Sequence, residues 1–410
     1  MLWVLLVAAI GTAPGQPMTD RALRDDVKSV QLYRPGSELD FPVLTLGDGG
    51  QLTLEFDVLG SAPEGLRWSV VHCDRHWEPD GLEASEFMSG FDSRSIDRYD
   101  FSFTTLRDYV HYSATVPGSF AEFTHSGNYL LTVSTDDEAG TPLLQRRFCV
   151  NEATARVEVG KGRPYDGVDI DRRQELDVKV KCPELGFSRS EYFEVVVQQN
   201  GRTDNARTLE FSGYDGDALA YRFRQANIFA AGNTFRFFDC SNLRAAMYNV
   251  VRVEEYGGEL FAILRPEENR SAKHYLSETT LNGGMKVNIW DRENPRLEAD
   301  YVWVNFSLPM AQPMLDGTVH IVGALTDWRI DSTSAMEYNP RYRAYTKRLL
   351  LKQGYYAYQL LVKRPTQAEA ETRQLEGDHR ETPNSYTVFI YWRSPSDRAD
   401  RLVGYQVIKG

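Results

Sequence analysis

Residues 66–103 read LRWSVVHCDRHWEPDGLEASEFMSGFDSRSIDRYDFSF. The opening alternates: Leu66, Trp68, Val70 and His72 face one way, Arg67, Ser69, Val71 and Cys73 the other, which is the period of a half-buried strand. A long polar loop follows, carrying Trp77, Phe87, Phe91 and Tyr99, and strand character resumes over 99–103. Loops of this length inside a compact β domain are ordered by their own side chains or used for binding. The aromatics, set among Asp, Ser and Gly, therefore either pack beneath the loop or meet a partner. Nothing in the stretch resembles a reaction centre.

Outward from it the same texture recurs. Segments 27–34, 41–46 and 51–58 alternate as strands broken by Pro35–Gly36 and the turn GDGG, and 127–133 with QRRFCV reads as a closing hairpin. A first unit is expected at 25–152. Clean alternation returns at 174–180 and 192–199, with QNGRTDNA as a turn whose Asn and Gly tolerate positive φ; this middle unit is expected at 153–295. The segment DYVWVNFSL, 300–308, opens a third unit at 300–410, within which the charged stretch 365–380 reads as a mobile surface loop. Short strands at regular spacing, with Gly, Asp and Pro turns, give an all-β chain of three consecutive immunoglobulin-like β-sandwich domains.

Composition agrees. Of 410 residues, 12% are aromatic and 25% charged, with 22 Tyr and 20 Phe, a balance that favours strands. A net charge of −12 argues against nucleic acid, whose phosphates need clustered Lys and Arg. The run MLWVLLVAAI followed by GTAPGQP reads as a signal peptide, 1–16, too short to span a bilayer, so the mature protein is expected to be exported and soluble. Cys73, Cys149, Cys182 and Cys240 allow three pairings or none, and their redox state stays open.

Chemistry-bearing motifs are few. His72, Cys73, Asp74 and His76 form a cluster of metal-ligand types, but no distant pair completes a site, so no metal and no cofactor is expected. The nucleophile elbow, the phosphate loop and the zinc-protease helix motif are missing, and the chain is not expected to be an enzyme. The stretch VHIVGALTDW, 319–328, followed by GYYAYQLLV, resembles the starch- and glycogen-binding E-set modules that accompany amylases. That resemblance implies sugar stacking by Trp328; the plainer reading is that Trp328 closes the core of such a fold.

The words VKSVQLYRPGSELDFPVLTLG, VVHCDRHWEP, SGFD, YDFSFTTL, SGNYLLTV, VVVQQNGRTDNA, GNTFRFFD, DYVWVNFSLPM, DGTVHIVGALTDWR, LLLKQGYYAYQ and RLVGYQ, in that order from about Val27 to the C-terminus, resemble the type IX secretion system plug protein family of Bacteroidetes. The resemblance implies a periplasmic plug that binds the giant outer-membrane β-barrel translocon of that system and seals its periplasmic opening, reaching the membrane only through this partner. Candidate contacts are Trp77, Phe87, Phe91 and Tyr99 in the long loop, with Arg202 and Asn205 in the Asn-Gly turn, because exposed aromatics and Arg carry most interface energy. The competing reading is a carbohydrate-binding protein acting through Trp328.

Overall fold

The structure, a computed structural model, describes residues 18–185 and 189–410; the expected signal peptide at 1–16 lies outside them. The fold is almost all β, and its sheets pair face to face around separate cores.

In the first sandwich one sheet runs Arg21–Ala22, Pro142–Asn151, Gly127–Thr135, Leu66–Cys73 and Ser93–Ser95, with Val43–Thr45 added in parallel to Pro142–Asn151. The facing sheet runs Val27–Tyr33, Leu52–Leu59, Tyr109–Val116 and Arg98–Phe101. Alternation explains the core between them: Leu52, Leu54, Phe56 and Val58 point inward against Leu66, Trp68 and Val70. The opposite face of Leu52–Leu59 is also buried: Glu55 and Asp57 lie beneath the third sandwich and not in water.

The second sandwich packs Arg156–Gly162, Arg173–Lys181, Ala218–Tyr221, Gly213–Asp215 and Ile228–Ala230 against Arg207–Leu209, Phe193–Gln199, Tyr386–Trp392 and Arg401–Ile408. The third sets Arg236–Asp239, Gly354–Lys363, Met285–Val287 and Thr318–Val322 against Val250–Tyr256, Glu259–Leu264, Tyr301–Pro309, Ala344–Lys352 and Glu337–Asn339. The expected bounds 153–295 and 300–410 do not coincide with these sheets. The strands from Arg236 to Leu264 join the third sandwich, and the last two strands return to the second, where Val388 and Ile390 complete the core around Val195 and Val197. The third sandwich is thus inserted between strands of the second.

The segment 365–380, expected as a surface loop, is exposed mainly at its start: Leu375 and Glu376 are wholly buried, and Glu376 is held by Arg236 and Arg270. All four thiols are buried and free.

Candidate interaction surface

The sequence-predicted contact residues divide sharply by burial. Trp77, in the turn that follows Leu66–Cys73, adopts the left-handed region, φ 67°, and turns inward. It packs edge-on to Phe41 at 6.1 Å in a cluster that includes Phe389 and Tyr391 of the second sandwich, and Arg147 covers its ring. The turn that aims it is built by Asp74, whose carboxylate accepts the backbone N–H of His76 and of Glu78, both at 2.9 Å. His72 points into the sandwich, bonded to Asp80 at 2.6 Å and to the Ser126 carbonyl, while Cys73 is buried on the other side of its strand. Burial pushes the Cys73 thiol up to about 12, which leaves it protonated and inert.

Phe87, on a single helical turn, Ala84–Phe87, inserts into the first core beside Tyr129. Arg202 and Asn205 are also buried. Arg202 grips Asp204 and donates to the Ala370 carbonyl at 2.6 Å, so the Asn-Gly turn clasps the segment that leaves the third sandwich. Asn205 donates to the Gln199 side chain at 3.2 Å. Trp328 meets the same turn: its half-buried ring lies against Gly201, Gly283 and Phe235. A ring wedged between two loops and another aromatic is not an open platform for a sugar. These residues sit at or beside the joints between sandwiches or in a core, and in this conformation they present no broad face to a partner.

Phe91 and Tyr99 remain on the surface. Phe91 is 81% exposed, and the adjoining loop offers Phe120, wholly exposed, which the sequence reading missed although an aromatic in the turn Pro-Gly-Ser-Phe was its signal. Short pairing of Met88–Ser89 with Glu122–Phe123 holds the two loops side by side, and Gly90 fits against the Phe120 carbonyl only because it lacks a Cβ. Tyr99 and Phe101 lie on Arg98–Phe101, a fully exposed edge strand, with rings 5.9 Å apart. An edge strand with unpaired backbone groups and exposed rings is a surface suited to protein contact.

The body behind this surface is cross-braced by buried bonds. The first sandwich meets the third through Asp57 with Lys352 and Tyr301, both at 2.6 Å, and through Arg146 with Asp327 at 2.8 Å. It meets the second through the Tyr391 hydroxyl, which donates to Asn128 at 3.0 Å, and through Arg401 with Glu152. A recess of about 440 Å³ between first and second sandwiches is lined by Arg75, Arg147 and Arg207, whose charges are already paired with Glu194, Asp20 and Glu369. Its Asp204 is pushed up by burial and pulled further down by Arg202, so it stays ionised, unlike a general acid. Among the described residues no helix is long and apolar enough to cross a membrane.

Comparison with known proteins bears on this surface. Residues 27–152, the part that carries Phe91, Tyr99 and Phe120, match the family model described as type 9 secretion system plug protein 1st domain. No curated protein matches. The chain is also similar to a crystal structure of a hypothetical protein from Parabacteroides merdae ATCC 43184, 27% identical, with a TM-score of 0.92 over 97% of this chain and 100% of that one. Over residues 27–152, about a third of the chain, this protein is similar to the first domain of the type 9 secretion system plug protein.

Proposed function

We propose that the mature protein works in the periplasm, binding the periplasmic mouth of the giant outer-membrane β-barrel translocon of the type IX system and sealing it. The observation that carries this reading is the plug-family match over the first sandwich. The physical case rests on rigidity. A channel wide enough for folded protein leaks small molecules unless a broad body blocks it, and sandwiches joined by buried ion pairs and aromatic clusters resist the bending that would reopen it. The apolar run at 2–10 followed by a turn-prone segment supports export. The docking face we assign is the exposed aromatic set Phe91, Tyr99, Phe101 and Phe120. The packing of the half-buried Trp328 ring against Phe235 weighs against the carbohydrate reading.

A tagged copy is expressed in the native organism, and outer membranes are solubilised in detergent for capture and mass spectrometry. Recovery of one giant β-barrel protein is expected, and deletion of the gene should raise outer-membrane permeability to small hydrophilic dyes. A functional tagged protein that recovers no barrel overturns the proposal.

A further inference from the structure

A nucleophile and a carboxyl group are held together at the joint of the first and third sandwiches, sealed from water. Lys352, the last residue of Ala344–Lys352, is 2% exposed, and Asp57, on the outer face of Leu52–Leu59, is 0% exposed. The amine Nζ lies 2.6 Å from Asp57 Oδ2, is fixed from behind by the Arg296 carbonyl at 2.6 Å, and sits over the Tyr109 ring at 4.1 Å. The two carboxylate oxygens are each held by a further donor. Tyr301 donates its hydroxyl to Oδ2 at 2.6 Å, and His111 Nδ1 lies 2.7 Å from Oδ1. The far nitrogen of His111 has no hydrogen-bond partner and faces Glu55 across 3.9 Å, and Glu55 is bonded in turn to Tyr33 and Arg296.

We infer that Lys352 and Asp57 form an intramolecular amide cross-link that joins the first sandwich covalently to the third. The step balances without any co-reactant. A proton passes from the ammonium to the carboxylate, giving free amine and carboxylic acid; Nζ attacks Cγ and forms the C–N bond; Nζ then sheds a second proton, the C–O bond breaks, and the departing hydroxyl takes up one proton, so that one water leaves and no net proton is gained or lost. Burial favours that proton transfer, because it replaces two desolvated charges with two neutral groups. Desolvation already pushes the Lys352 amine below its usual range, although Lys352 and His111 outweigh burial at Asp57 and hold its carboxyl low, so the ion pair is the starting state. Tyr301 is placed to stabilise charge on Oδ2 as the tetrahedral intermediate forms. His111 is placed to deliver the proton with which Oδ1 departs, and its unpartnered nitrogen beside Glu55 can be resupplied from that side. Fixed proximity makes the reaction effectively unimolecular. The chemistry needs an amine, a carboxyl, an acid and a dry site, and here the fold brings together residues 295 positions apart in sequence.

The test is the mass of the native chain under denaturing conditions, with the Lys352→Arg variant purified identically as the uncross-linked reference. The expected native mass is one water below that of the sequence, with a branched peptide containing Asp57 and Lys352 and no tryptic cleavage after Lys352. In refolding from the linear chain, His111→Gln should slow the appearance of the lighter species roughly a hundredfold. A native chain at full sequence mass, cut by trypsin after Lys352, overturns the inference and leaves a buried ion pair. This readout needs no variant to fold.

Discussion

Ile390 lies directly opposite Val195 in an antiparallel ladder, so the chain's last strands complete a sheet begun almost two hundred residues earlier. Both side chains are fully buried in the second core. Ile390→Ala should therefore destabilise this sandwich by about 2–5 kcal/mol, the usual range for emptying a closed core site. Limited proteolysis is the check: cleavage should begin within 156–230 and spare 236–363. First cuts inside the third sandwich would contradict the pairing.

Glu376 supplies a pH dependence whose sign is fixed. Burial pushes its carboxyl up, but Arg236 at 2.9 Å, Arg270 at 2.8 Å and the Leu360 N–H at 2.7 Å more than offset this, so it lies below the ordinary carboxylate range. A depressed folded value means stability that is complete above the unfolded value, about 4.3, and is lost as pH falls through the folded one. Glu376→Gln leaves two arginines without their shared anion and should cost about 3–5 kcal/mol near neutral pH. Urea titrations should show that difference shrinking towards pH 3 as the native carboxyl protonates. A difference independent of pH would mean the ion pairs contribute little.

Strand periodicity made the all-β class legible, because each sandwich buries one face of strands such as Leu52–Leu59 and Tyr301–Pro309. Connectivity was not legible. Tyr386–Trp392 alternates equally well for either neighbouring core, and only the pairing with Phe193–Gln199 decides between them. The burial of several candidate contacts has a related cause. Trp77, Arg202 and Trp328 occupy turn-rich, polar-flanked words that look like surface in a single domain, yet they become joints once a second sandwich covers them. Asp57 and Lys352 were invisible for the same cause: a charge on the outer face of a strand reads as solvated until another sheet closes over it.

Gly283 and Trp328 form a tight contact that tests this joint. Gly283 has φ +85°, and a Cβ there would come within 2.2 Å of the Trp328 ring and 2.7 Å of Phe235. Gly283→Ala should cost about 2 kcal/mol or more from strain and overlap together. Trp328→Ala removes the obstacle, so the double variant should be more stable than the sum of the single losses predicts, a coupling that thermal unfolding can measure. Glucan binding by the native chain that is abolished in Trp328→Ala would return the ring to a sugar-binding role.

Phe91 and Phe120 offer the cleanest separation of folding from docking. Both rings stand in solvent on loops tied together by the pairing of Met88–Ser89 with Glu122–Phe123, so neither contributes a core contact. Phe91→Asp and Phe120→Asp should leave stability within about 0.5 kcal/mol, as surface changes usually do. If these rings are the anchors of the proposed docking face, each loss should weaken the complex by more than about 1 kcal/mol, and the double variant should lower barrel recovery about tenfold or more. Charge makes the substitution more severe than alanine, since an aspartate buried at an apolar contact must be desolvated without a partner. Unchanged stability with unchanged recovery would move the docking face elsewhere on the molecule. Unchanged stability with lost recovery would locate it at this end of the first sandwich.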